Sequence, residues 1–428
     1  MNAREAALQA LMKVGKDGTF SNIAVKEVLA KHRELPAADK AFAARLVYGV
    51  ISRERTLDYV LMKYSKIKKK KISAYILMIL RIGIYQLMFM DKIPESAAVN
   101  ESVKLAKRYG HKASSGFVNG ILHAVIRGQQ SLEYPKETSE RLSVQYSFPI
   151  ELVKRWVMEL GEEQAEQLME ASNEDPPLVL RVNTLKTTPE KLINKLAANG
   201  IKAEVSEAYP LAITVSGFDI AASALYQNGL FTVQDTAAML AGVALAPRPG
   251  ETVIDLCAAP GGKTTHLAQM MENKGKILAF DIHEHKIDLI HKNAQRLGIT
   301  VIQAQQADAL EQQEALIGCA DRVLADVPCS GLGILRRKPD IKWNWDPEND
   351  LPDVQEKILT NAASYVKAGG TLVYSTCTLN RAENEDVIER FLKEQPDFEK
   401  IQQKTYYPHL DKTDGFFICK LQKKGIHG

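Results

Sequence analysis

VIDLCAAPGGKTTHLA, residues 253–268, joins an apolar run to a glycine turn and then to a helix-forming stretch. It reads as a strand whose C-terminal edge opens into a close backbone turn and a helix. The same alternation continues downstream. ETVIDLC, GKILAFD, VIQAQQAD, RVLADVP and GTLVYSTC are five strand candidates. TTHLAQMME, EHKIDLIHKNAQRLG, a weaker ALEQQEALI and DVQEKILTNAASYVKAG are the helices between them. Alternating βα units predict a Rossmann-like α/β domain over residues 229–428, with a doubly wound, mostly parallel sheet. DFEKIQQK and GFFICKLQKK would add an edge hairpin.

The opening loop has the look of a phosphate cradle, because GGKT ends like a Walker motif. The first glycine of that motif would fall at position 257, which is Cys257, and the GxGxxG spacing is not met either. What remains is a backbone loop of Cys257, Ala258, Ala259, Pro260, Gly261, Gly262 and Lys263 at a strand's C-terminal edge, where open α/β sheets bind ligands. Asp281 ends the second strand, 19 residues after Gly262, at the distance from which an acidic side chain takes ribose hydroxyls. Asp308 ends the third strand and could hold an adenine amino group. A ribose-bearing cofactor without a required pyrophosphate fits this spacing, and S-adenosylmethionine (SAM) is the natural choice.

Two cysteines close the fourth and fifth strands. ADVPCSG carries Asp326 and Cys329, and YSTCT carries Cys377. A single buried cysteine is ordinary space filling; two at adjacent strand ends beside a ligand crevice point to chemistry. Methylation of a pyrimidine at carbon 5 needs such a pair. A thiolate adding to carbon 6 makes carbon 5 nucleophilic toward a methyl donor. A carboxyl group such as Asp326 can relieve charge at ring nitrogen 3. Once the carbon 5 proton leaves, the thiol is eliminated, and a second thiol could assist that step.

The remaining cysteines are Cys257, Cys319 and Cys419. An odd, sparse set of five without a CxxC pair argues against a disulfide framework and a zinc site, and for a reducing compartment. His283 and His285 have no third ligand near them in sequence, so no metal is expected. With 45% apolar and 25% charged residues, the 428-residue chain is expected to fold as two or three globular domains. MNAREAALQALMKVG is charged from residue 4 and shows no apolar secretory core, so, with the reducing compartment, a cytoplasmic location is expected. ISAYILMILRIGIYQLMFM (72–90) is long enough to suggest a membrane span. Arg81 at its centre, costing roughly 3 kcal/mol in lipid, and Gln86 make it a buried core helix instead.

Charge is unevenly spread. Residues 1–130 hold 23 of the 55 Lys/Arg but 10 of the 52 Asp/Glu, a local net of +13 within a chain of net +3. That segment reads as all helix, a basic module suited to a polyanion. Lys68 to Lys71 are candidate phosphate contacts. Residues 131–145 read as a linker. Residues 140–228 read as a small α+β module. Its helices are FPIELVKRWVMEL, EEQAEQLMEASN and TPEKLINKLAANG, and its strands DPPLVLRVNTL, IKAEVSE and LAITVSG.

DLCAAPGGKT, DVPCSG and STCTL, with RVNT (181–184) and QDTAAM (234–239), resemble the motifs of the RNA 5-methylcytosine methyltransferases. DKAFAARLVYGVISRERTLDYVL, LRIGIYQLMFMDKIPESAAVNESVKLAKRYG and FVNGILHAV, within about 1–128, are similar to the antitermination factor NusB. The pairing is that of the bacterial small-subunit rRNA methyltransferases of the Sun/Fmu type. This resemblance implies a NusB-like RNA-binding domain over 1–130, SAM as cofactor and one cytosine of 16S rRNA as target. It also implies Cys377 as nucleophile, Cys329 as the residue that assists product release, and Asp326 against the base. Cys257 to Lys263, Asp281 and Asp308 would bind SAM. No membrane partner and a monomer are expected. The same chemistry on tRNA, or an RNA-binding factor with a vestigial methyltransferase, are the competing readings.

Overall fold

The structure is a computed structural model that describes residues 1–128, 131–217, 220 and 223–425. The expected domain ends at 130 and 428 lie outside these residues. The chain divides into two units. Met1–Glu174 with Leu335–Trp345 forms one, and Asp175–Ile334 with the chain from Asp346 onward forms the other.

The first unit is helical. Ala74–Phe89 is its most apolar helix, with Ile76, Ile79, Leu80, Ile82 and Ile84 buried. Around it pack Ala3–Asp17, Ala37–Ser52, Glu54–Tyr64, Glu95–Tyr109 and Ser114–Gly128. The two polar groups of the apolar run are both satisfied, as buried polar groups must be. Arg81 donates to Asp58 through Nε (2.8 Å) and Nη2 (2.7 Å), and to Glu54 (2.8 Å). Gln86 accepts from Arg4 (2.7 Å) and donates to the Ile82 carbonyl (3.0 Å). Among the described residues no helix is long and apolar enough to cross a membrane.

The expected linker at 131–145 is in part a helix, Thr138–Tyr146. Glu137 caps it by accepting from the amides of Ser139 and Glu140, and Leu142 and Val144 are buried. Ile150–Leu160 and Glu162–Ala171 follow, as expected. A distant piece of chain completes this unit. Asp340 accepts from the Ser21 hydroxyl (2.5 Å), and Trp343 donates to the Ile51 carbonyl (2.8 Å). Lys342, fully buried, donates to the Ser52 carbonyl (2.8 Å) and lies 3.9 Å from the Phe148 ring centre.

The second unit contains two sheets. Strands β1 (Leu178–Val182), β2 (Lys202–Ser206), β3 (Tyr209–Ser216) and β4 (Phe231–Val233) form an antiparallel sheet in the order β2-β3-β1-β4. Helix Pro189–Ala198 packs Leu192 and Leu196 against Leu180, Val182, Ile213 and Phe231. The larger sheet holds β5 (Thr252–Asp255), β6 (Lys276–Asp281), β7 (Ile302–Gln306), β8 (Ala320–Asp326), β9 (Val366–Thr376), β10 (Phe398–Tyr406) and β11 (Phe416–Lys423). Its order is β10-β11-β9-β8-β5-β6-β7. β5 to β9 are mutually parallel, while β11 pairs antiparallel with β9 and β10. The parallel core and the edge hairpin are both as the sequence predicts.

Strand alternation divides the core into two layers. Leu372 and Tyr374 face helices Leu351–Tyr365 and Glu385–Glu394, whereas Val373 faces Thr236–Leu245 and Gly262–Met270. ALEQQEALI, expected as a weak helix, forms only the single 3₁₀ turn Glu314–Leu316. It has helix-forming residues but buries none of that turn's side chains.

Candidate active site

β8 and β9 run side by side in parallel, with Asp326 opposite Ser375. Residues following both strands therefore leave from the same edge. Cys329 lies three residues past β8 and Cys377 one residue past β9. Their Sγ atoms stand 3.3 Å apart, and both residues are partly buried. The backbones behind them are locked at close range. Gly333 donates to the Cys377 carbonyl (2.9 Å), and Gly415 donates to the Gly333 carbonyl (2.8 Å). A Cβ on Gly333 would lie 2.0 Å from the Gly415 oxygen, so only glycine permits this approach.

The hydrogen bond with Cys377, then burial, then the charges of Cys377 and Glu383 push the Cys329 pKa well above the ordinary thiol value. On the side of the glycine loop, Lys263 Nζ lies 2.6 Å from Asp326 Oδ2, and Ser375 donates to Asp326 Oδ1 (2.8 Å). Burial opposes the Lys263 charge, but the ion pair with Asp326 holds its pKa above the usual lysine value. The negative charge of Cys377 acts on Lys263 in the same direction.

The glycine loop leaves β5 at Asp255. Gly261 adopts φ 94°, a left-handed conformation that glycine reaches without strain, and begins helix Gly262–Met270. Asp281 fixes the loop and its own strand end by accepting from the amides of Ala259 (3.2 Å) and His283 (3.1 Å). Asp308 accepts from the Leu310 amide (2.9 Å). Asp255 is buried. Its Oδ2 accepts from Thr264 (2.7 Å), while its Oδ1 has no partner. Burial pushes this carboxyl up to about 7. Sequence reading passed over Asp255, because nothing in VIDLC marks its aspartate as buried.

Arg181 and Gln234 were legible only as parts of motifs. The fold brings both to the loop. Fully buried Arg181 donates to Gln269 (3.0 Å), Thr265 (2.9 Å), Gln234 and the Gly262 carbonyl. Burial without a carboxylate partner pulls its pKa down to about 9. Burial likewise raises the pKa values of Cys257, Cys319 and Cys419, which leaves these thiols protonated. His283 and His285 have ring centres 5.5 Å apart. Among the described residues, no group of three or more His, Cys, Asp or Glu is placed to hold a metal ion.

Residues 242–422 match the family of 16S rRNA methyltransferase RsmB/F, residues 1–127 the NusB family, and residues 148–220 the ferredoxin-like domain of RsmF/B-like methyltransferases. The chain is 39% identical to a probable ribosomal RNA small subunit methyltransferase B of Bacillus subtilis, over 99% of both chains. It is 37% identical to a protein of the same description from Synechocystis, over 99% of this chain and 100% of that one. The crystal structure of PH0851 superposes with a TM-score of 0.82 at 28% identity, covering 98% of each chain.

Proposed function

Since the chain belongs to the 16S rRNA methyltransferase RsmB/F family, we propose that it methylates carbon 5 of one cytosine in 16S rRNA, using SAM and a covalent bond to Cys377. One observation carries this reading: two thiols 3.3 Å apart at the ends of adjacent parallel strands, beside a carboxylate paired to a lysine. Space filling does not call for that combination.

The loop fits the cofactor. A buried carboxyl oxygen without a partner, Asp255 Oδ1, is left at the loop to meet a ligand's polar group. Cys257 to Lys263, Asp281 and Asp308 would hold it. When bound, SAM supplies an electrophilic methyl group on a sulfonium.

The chain's own residues do the rest. Cys377 Sγ bonds to carbon 6 of the cytosine, and the electron pair of the 5,6 double bond becomes available at carbon 5. Negative charge develops toward ring nitrogen 3. The Lys263–Asp326 pair, an ammonium hydrogen-bonded to a carboxylate, can pass a proton there and take it back. After methyl transfer a solvent water takes the carbon 5 proton, the freed C–H electron pair restores the 5,6 double bond, and the carbon 6–sulfur bond breaks with its electron pair returning to Cys377. Cys329 assists that release, since its sulfur stands 3.3 Å from Cys377 Sγ, within hydrogen-bond reach of the departing thiolate. The target base must be unstacked, because carbon 6 is not reachable inside a helix.

A denaturing gel of protein with 16S rRNA and SAM tests the scheme. Cys377→Ala should give neither methylation nor a covalent band, and Cys329→Ala should accumulate a protein–RNA band. Methylation by Cys377→Ala would move the nucleophile to Cys329.

A further inference from the structure

Glu383 sits seven residues past β9, between Asn380 and helix Glu385–Glu394, and is fully buried. Its carboxylate accepts four hydrogen bonds. Ser330 donates through its amide (2.8 Å) and its hydroxyl (2.5 Å), Asn380 through Nδ2 (2.8 Å) and Gln355 through Nε2 (3.0 Å). All four donors are neutral. They come from three separate pieces of chain: the residue after Cys329, the turn after Cys377, and helix Leu351–Tyr365. The clamp extends further. Gln355 Nε2 also donates to the Pro328 carbonyl (2.9 Å), on the other side of Cys329. Ser330 and Thr378, each next to one of the thiols, share a 2.7 Å contact between hydroxyls. Tyr374 donates to the Glu383 carbonyl (2.6 Å), tying the clamp to β9.

A buried carboxylate with no counter-ion among the described residues is retained where its full set of acceptor sites is used. Here that set is spent on backbone and side chains flanking the two cysteines. We propose that Glu383 is a positioning residue that holds the Cys329 loop at Cys377, and so serves the release of the methylated base rather than its attack. This rests on the two-thiol reading above. Cys377 stands at the end of a strand paired on both sides and keeps its place without the clamp. Cys329 stands on a loop and depends on it.

Glu383→Gln tests the inference. A glutamine side chain offers one acceptor oxygen and turns an NH2 group toward groups that themselves donate, so the clamp opens. Full-length Glu383→Gln, wild type and Cys329→Ala are compared with 16S rRNA and SAM. For Glu383→Gln, first-turnover methylation should stay within about threefold of wild type. Steady-state kcat should fall at least tenfold, KM should fall with it so that kcat/KM stays within about threefold, and a covalent protein–RNA band should accumulate. A general loss of structure would instead lower the first turnover equally and leave no band, and that result overturns the inference, as does an unchanged kcat. If Glu383→Gln does not fold, Gln355→Leu removes a single clamp donor and carries the same test. Trapping of the covalent band supports the clamp, and wild-type turnover overturns it. If Cys329→Ala itself traps nothing, the two-thiol reading has failed. If Cys329→Ala traps and the clamp variants do not, only the role of Glu383 has failed.

Discussion

Asp255 shows how much of the site depends on environment rather than on residue type. Burial holds its carboxyl protonated up to about pH 7 in the folded chain. Below about pH 4 it is neutral in both the folded and unfolded states and contributes nothing. From there to about pH 7 the unfolded chain releases the proton and the folded chain does not. Stability therefore falls as pH rises, by at most about 1.4 kcal/mol per pH unit, and levels off above 7. Asp255→Asn keeps the Thr264 contact and loses this slope. Denaturant titrations at pH 5, 6, 7 and 8 should show the variant gaining on wild type up to pH 7 and no further. The thiols were legible because each follows an apolar run, and parallel neighbouring strands must deliver both to one edge. The contacts around them were not. Lys263 and Asp326 were each named from the sequence, but they are 63 residues apart and nothing there pairs them, and Glu383 stands within an acidic run.

At the level of elements, Ala74–Phe89 was readable from its apolar length, and Arg81 was enough to set it inside a protein rather than a bilayer. Its ion-pair partners lie on another helix, Glu54–Tyr64, and no local pattern announces them. Removing one of them leaves a charge buried at 4% exposure. Asp58→Ala should destabilise the helical unit by roughly 3 kcal/mol, measured by urea unfolding. Helix Thr236–Leu245 escaped the sequence reading for the opposite reason. TAAMLAGVAL is buried over most of its circumference, so it carries no amphipathic period to detect. Thr138–Tyr146 was hidden by its shortness, with a buried stripe of only Leu142, Ser143 and Val144.

For the molecule as a whole, the charge segregation seen in the sequence lies on a NusB-like helical unit whose chain is strongly basic. Lys69, Lys70 and Lys71 form an exposed 3₁₀ turn after Lys68, and Lys69 is paired to Asp58 at 2.8 Å. The other three are free to meet phosphates. Replacing Lys68, Lys70 and Lys71 with Gln should weaken 16S rRNA binding and flatten the slope of log K against log salt by about 2. Filter binding across a salt series measures both. The division into a helical and an α/β part was legible from the change in periodicity. The return of residues 335–345 to the helical unit was not, since RRKPDIKWNW has no pattern that assigns it to a distant partner.

That return has a consequence for taking the protein apart. The polypeptide passes between the two units three times, at 174/175, 334/335 and 345/346. A protease cut at any one junction leaves the halves still joined through the other two, so limited digestion should nick the chain without separating its pieces. Gene truncation behaves differently. A fragment ending at residue 174 gives up Trp343 and Lys342, exposing the groups that received them at Ile51, Ser52 and Phe148. Supplying residues 335–345 as a separate peptide should restore part of what is lost. By the same logic, a natural exchange of the helical unit between relatives requires two inherited segments, one from each half of the gene.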